Sequence, residues 1–182
     1  MKSHPKTARP ISTKDLMHVV LKSTQAQGPH SFLRFERSLF NLMQKLARNL
    51  NVTLVDVVIM SNHIHLSIKI KSRRAFLNFL RASGGLIARK VLGAEKYRPS
   101  SMKKFFDARP FSRIVTSGKK SWTALSQYFE LNRLEKFGFS KSESRAWLLH
   151  LAYEPPLNRP GDRYIADHRH CSVYKKSPKS TA

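Results

Sequence analysis

The stretch Met60-Ser61-Asn62-His63-Ile64-His65-Leu66-Ser67-Ile68-Lys69-Ile70 sets two imidazoles two residues apart. Neutral imidazole nitrogens bind divalent cations, and two of them on one face of a strand can converge on a single ion. Such a pair can also be two solvated strand histidines with no ligand at all. A second candidate lies further along, where Tyr128 and Asn132 stand four apart. That spacing puts both side chains on one side of a helix, one turn from each other. A tyrosine hydroxyl is a poor nucleophile at its ordinary pKa near 10, and a nearby cation or basic groups favour the phenolate. A divalent metal also polarises a phosphoryl oxygen while a phosphodiester is attacked. Tyr128 facing His63 and His65, with Asn132 adding an oxygen ligand, would suit Mg2+ or Mn2+. On helix position alone, Tyr128 reads as an ordinary tyrosine of an amphipathic helix.

The elements that must position these groups follow from patterning. From His63 to Ile70 apolar and polar residues alternate strictly, the mark of a half-buried strand whose two faces differ. Ile64, Leu66, Ile68 and Ile70 enter a core, and His63 and His65 emerge together on the opposite, open face. Leu16–Leu21 and the β-branched run Val52–Met60 read as two further strands, the second joined to the histidine strand by the Ser61-Asn62 break. Phe111–Thr116 reads as the last strand. Between them, Ser31 is placed to cap a helix running to about Leu50, and Ser72 to cap a second running to about Leu92. Gly84-Gly85 in the second weakens it by about 1 kcal/mol per glycine, or marks a kink or a close approach of another backbone. Lys119 to about Phe137 reads as a third helix, with Trp122, Leu125 and Phe129 as its core stripe. The order strand, helix, two strands, helix, strand, helix predicts an α+β domain: a ferredoxin-like antiparallel sheet with helices on one face.

The chain has 182 residues, with 34 Lys and Arg against 11 Asp and Glu, a formal charge of +23. So large a one-sign excess in a chain with a hydrophobic core implies a polyanionic partner, nucleic acid first and an anionic membrane surface second. No apolar run approaches the ~20 residues of a membrane span, and the basic N-terminus lacks the apolar stretch of a signal peptide. The single Cys171 excludes an internal disulfide and fits a reducing cytoplasm. The expected organisation is a basic arm over residues 1–12, the main domain over 13–139, an extra helix over 140–154 and a basic flexible tail over 155–182. Arg73, Arg74, Arg81, Arg89, Lys90 and Arg113 supply positive charge that would attract DNA phosphates. His168, His170 and Cys171 lack a second cluster to complete a zinc site. Tyr97, Tyr153, Tyr164 and Tyr174 lack the helix setting and the neighbouring asparagine of Tyr128. His18 has no ligand partner in its local sequence.

His63-Ile64-His65 resembles the His-hydrophobic-His signature of the HUH single-strand nucleases. Gln127-Tyr128-Phe129-Glu130-Leu131-Asn132 resembles the tyrosine helix of the single-tyrosine transposases, whose REP-associated branch commonly carries Tyr-x-x-x-Asn. Phe105–Arg113 and His18–Lys22 resemble the approach to their last strand and their first strand, so the likeness spans about Leu16 to Phe137. Arg133 follows Asn132 where the family commonly has proline. The resemblance implies an HUH-type core with His63, His65 and Asn132 as metal ligands and Tyr128 as nucleophile. It implies attack on single-stranded DNA beside hairpins, a 5′-phosphotyrosine link and a free 3′-hydroxyl, and strand transfer by a monomer or a homodimer. The alternative from another class is a non-catalytic protein that holds single-stranded nucleic acid on the same fold.

Overall fold

The computed structural model describes residues 10–94, 104–116 and 118–153. Its elements in chain order are β1 (Leu16–Lys22), α1 (Glu36–Asn49), β2 (Val52–Ile59), β3 (His63–Ile70), α2 (Arg73–Leu92), β4 (Phe111–Val115), α3 (Lys119–Lys136) and α4 (Lys141–Tyr153). The four strands form one sheet in the order β2-β3-β1-β4, every pair antiparallel. This is the expected α+β, ferredoxin-like arrangement, with β3 and β1 in the centre. The arm over 1–9, the tail over 154–182, Tyr97, Tyr164, Tyr174 and the His168-x-His170-Cys171 cluster lie outside the described residues.

Strand parity sets what each face of the sheet becomes. Met17, Val19 and Leu21 of β1 and Ile64, Leu66, Ile68 and Ile70 of β3 pack with Leu39 and Met43 of α1 and Phe76, Phe79 and Ile87 of α2 in the main core. The opposite parity, Leu16 and Val58 with Val115, meets Leu125 and Phe129 of α3 in a smaller cluster. The histidine face is therefore covered by α3 rather than open. The expectation of helices on one face holds for α1 and α2, and α3 closes the other because Leu125 and Phe129 need a surface to bury against. In β2 the register slips between Leu54 and Asp56. The extra residue, Val55, is a bulge that returns Val57 and Ile59 to the main core and turns Asp56 toward α3.

Local chemistry explains the helix ends. Ser72 caps α2, its Oγ accepting from the Ala75 N–H at 3.1 Å, and Gly93 ends it in the left-handed conformation with φ 62°. The expected Ser31 cap does not form. The Ser31 hydroxyl donates instead to the carbonyl of Ser61 at 3.2 Å, and the Phe32 N–H reaches the same oxygen at 2.8 Å. Two short 3-10 turns, Gly28–His30 and Phe32–Phe35, then lead into α1. The strand β4 ends at Val115, and α2 runs unbroken through Gly84-Gly85; a Cβ added at Gly84 would lie 3.9 Å from the Phe106 ring, and one at Gly85 would meet open space. The close approach is thus by a side chain from the segment before β4. In α3 the expected core stripe loses one member: Leu125 and Phe129 are buried, but Trp122 is 48 % exposed.

Candidate active site

The histidine strand β3 lies between β2 and β1, so its α3-facing side chains are hemmed in from both sides. His63 stands at the strand's start and is half-buried, its Nδ1 2.7 Å from Oδ1 of Asn62. An amide oxygen only accepts, so Nδ1 of His63 carries the proton and Nε2 keeps its lone pair. His65, two residues on, is buried at 2 % exposure, which corrects the expectation that both imidazoles stand on an open surface. The two rings meet edge to face with centroids 4.7 Å apart.

Helix α3 completes the site from above. The Tyr128 ring lies 5.2 Å from His65 and 5.6 Å from His18, centroid to centroid, and remains 41 % exposed. Asn132, one turn on, is buried and donates its Nδ2 to the Tyr128 carbonyl at 2.6 Å. The Asn132 side chain favours the charged form of His65. Phe129 backs the pair from beneath, 6.0 Å from His65. Two ion pairs hold the far end of α3 in place, Arg133 to Asp56 of β2 and Lys136 to Glu36 of α1. His63, His65, Tyr128 and Asn132 thus come together within one chain, as their sequence pattern predicts.

Burial governs the electrostatics. It lowers the pKa of His65 to about 3, with the neighbouring His63 and His18 lowering it further and Asn132 opposing. His18 falls to about 4, chiefly by burial and then by Arg113, and His63 is lowered by burial and Lys22 against the pull of Glu135. All three rings are neutral near pH 7, the state in which an imidazole can ligate a metal. The Nε2 of His65 is buried without a hydrogen-bond partner in the protein, as an atom reserved for a ligand would be. His63, His65 and the Asn132 oxygen form a mixed nitrogen and oxygen donor set of the kind that suits Mg2+ or Mn2+. Among the described residues no group of three or more His, Cys, Asp or Glu could hold a metal, so the third donor available here is an amide and not a carboxylate.

The basic residues divide between the two faces. Arg73, Arg74, Arg81, Arg89 and Lys90 are exposed on α2, whose buried side meets the main core, so they lie across the sheet from the histidines. Of the six cations expected to meet DNA, Arg113 alone shares the histidine face, paired in register with His18 and lowering its pKa. Sequence reasoning passed over His18, Lys22 and Asn62. The signal that could have found His18 is its position as a lone polar residue in an otherwise apolar strand.

A sheet of this topology, with a paired-histidine strand facing a tyrosine helix in a strongly basic chain, defines a class of DNA-processing α+β domain. The family model described as transposase IS200-like matches residues 16–132, from the start of β1 to Asn132. The chain belongs to that family and is a DNA transposase. No curated protein matches its sequence. Among solved structures, the REP-associated tyrosine transposase bound to a REP hairpin is similar in fold at 12 % identity and TM-score 0.52, covering 87 % of this chain and 93 % of that one. A provisionally named transposase from Deinococcus radiodurans R1 aligns at 16 % identity and TM-score 0.43, covering 72 % of this chain and 98 % of that one. None of the described helices is long and apolar enough to cross a membrane.

Proposed function

We propose that this transposase cuts and rejoins single-stranded DNA at hairpin-bearing sites, with Tyr128 as nucleophile and His63, His65 and Asn132 as ligands of a divalent metal. One observation carries the reading: a half-exposed tyrosine stands over two buried or half-buried neutral imidazoles, with an amide oxygen one helical turn away. Binding alone needs none of this. A bound Mg2+ or Mn2+ would polarise the phosphoryl oxygen and offset the charge that develops there.

The chain's own groups supply the rest. The Tyr128 oxygen loses its proton and attacks phosphorus, the bond from phosphorus to the 3′ oxygen breaks, and that oxygen takes up a proton. The products are a 5′-phosphotyrosine and a free 3′-hydroxyl, with the number of phosphodiester-type bonds unchanged, so no nucleotide cofactor is required. Attack by the 3′-hydroxyl of a second strand reverses the step and completes transfer. The exposure of Tyr128 gives a strand access, while Phe129 and the ion pairs at Arg133 and Lys136 keep the helix from drifting. Arg113 and Lys22 flank the histidines and would neutralise backbone phosphate. The exposed cations of α2 would then serve DNA that wraps to the other face. The reaction is open to a monomer and to a homodimer alike. A hairpin substrate is favoured by the fold shared with the REP-associated enzyme held to its hairpin.

The test is a labelled hairpin oligonucleotide incubated with the protein and Mn2+. A denaturation-resistant protein–DNA adduct is expected with the native chain and none with Tyr128→Phe, which should still bind the DNA. Binding without any adduct by the native chain would instead support a non-catalytic single-strand binder.

A further inference from the structure

His18 sits on β1, diagonally across from His65: β1 pairs His18 with Ser67 and Val20 with His65. Both rings are buried, at 5 % and 2 % exposure, and lie nearly parallel with centroids 5.4 Å apart. Nε2 of His18 is 3.2 Å from Nδ1 of His65. Two neutral imidazoles in this contact share one proton, and its side of the contact decides what the other end of His65 is. If His18 donates, then His65 is protonated at Nε2 and has no lone pair there for a cation. If His65 donates from Nδ1, its Nε2 is a free lone pair; that nitrogen and Nδ1 of His18 are both buried without a hydrogen-bond partner in the protein, so the metal role of His65, and not burial, selects this form. His63 is already held in the second form by the oxygen of Asn62.

We infer that His18 is a positioning residue: it accepts the Nδ1 proton of His65 and so fixes the tautomer and ring orientation in which Nε2 can ligate a divalent cation. This rests on the metal role given to His65 above. Metal-binding histidines commonly hand their second N–H to an acceptor, most often a carboxylate, a backbone carbonyl or water, and removing that acceptor typically costs 10- to 100-fold in affinity. An imidazole in that place brings no negative charge, as a carboxylate would. It suits a site that already contains few negative charges and must receive a phosphodiester. His18 also packs edge to face on Phe111, Phe129 and Tyr128, so its ring has little freedom to turn away.

The experiment measures Mn2+ affinity by titration calorimetry, and by the electron paramagnetic resonance signal of free Mn2+, on the full chain without DNA. His18→Phe keeps a ring and removes the acceptor; it should weaken Mn2+ binding about 10- to 100-fold. His18→Gln returns an acceptor oxygen and should bind within a few-fold of the native chain. Nitrogen-15 spectra of the native imidazoles should show His65 protonated at Nδ1, a readout that needs no variant to fold. Native affinity in both His18 variants, or His65 protonated at Nε2, overturns the positioning role. Loss of Mn2+ in His18→Gln as complete as in His65→Ala would make His18 a ligand instead, which also overturns it. Unchanged binding in His65→Ala marks failure of the underlying metal reading rather than of the tautomer argument alone.

Discussion

The two faces of the sheet bury different things. Against α1 and α2 the sheet gathers, among the described residues, a cluster of twenty buried apolar residues from Met17 to Phe105, with Ser23 and Ser83 the buried polar residues beside it. Against α3 the apolar cluster has five, and His18, His65, Ser67 and Asn132 are buried beside it. The first face has what a stable core needs, dense apolar contact with few polar atoms. The second spends its burial on imidazoles and an amide, groups that burial destabilises unless something binds them. One face supplies stability and the other spends some of it on a site, an allocation common where function resides.

That contrast is tested most strongly by truncating the core. Leu66→Ala and Ile68→Ala each remove a side chain with no exposed surface, and each should lower unfolding free energy by about 2–5 kcal/mol in a denaturant titration. His65→Ala comes from the same strand and is as well buried. It should cost only about 1 kcal/mol, because removing an unpartnered polar atom partly offsets the lost packing. His63→Ala, half-buried at the strand's start, should change stability by less than about 0.5 kcal/mol. Equal losses at Leu66 and His65 would show that the α3 face is as much a packing surface as the other.

Much of this division can be read from the chain, and the parts that cannot have definite causes. Strict alternation in β3 separates Ile64, Leu66, Ile68 and Ile70 from His63 and His65 without any structure. The Ser72 cap and the four-residue spacing of Tyr128 and Asn132 are equally local and equally visible. The burial of His65 is not local, since it depends on where α3 lands. The pattern of α3 is weakly amphipathic, with Trp122 exposed where the spacing suggests core. His18 was hidden for a related reason. Leu16, Met17, Val19, Val20 and Leu21 are apolar on both parities, so β1 carries no mark of which face is which. The α2 cations fail as neighbours of the histidines because helical periodicity places them away from their own core, and that core is on the far side of the sheet.

The pH dependence of stability should sharpen the contrast. The unfolded histidines titrate near 6.5, while the folded rings of His18 and His65 are lowered to about 4 and about 3 and His63 is lowered as well. Below pH 6.5 the unfolded chain therefore binds more protons than the folded one. Stability is full above that pH and falls as pH drops toward 4. Arg113 and Lys22 oppose protonation of His18 and His63, and Glu135 and Asn132 act weakly the other way on His63 and His65. The melting temperature, followed by calorimetry without divalent metal, should decline over this window. A His18→Phe/His65→Phe double variant should flatten the decline, and an unchanged slope would place the responsible groups elsewhere.

The smallest effect concerns how α3 stays seated. Its apolar contact is modest, and two ion pairs tie its C-terminal half to the rest of the domain: Arg133 with Asp56, and Lys136 with Glu36. Arg133 also reaches Glu130, one turn back on its own helix, at 2.6 Å. The side chains of Arg133 and Asp56 are 33 % and 31 % exposed, so solvent screens their attraction. Pairs in that setting contribute about 0–1 kcal/mol. A double-mutant cycle over Arg133→Ala and Asp56→Ala should return a coupling in that range, diminished by added salt. Amide exchange should still register the loss, with protection falling along α3 while β1 and β3 are unaffected, because a helix whose Leu125 and Phe129 rest on Leu16, Val58 and Val115 opens separately from the larger core. A coupling above about 2 kcal/mol, or loss of protection spreading into β3, would mean that the tyrosine helix is part of the cooperative core. The difference between the two faces would then be one of chemistry only and not of stability.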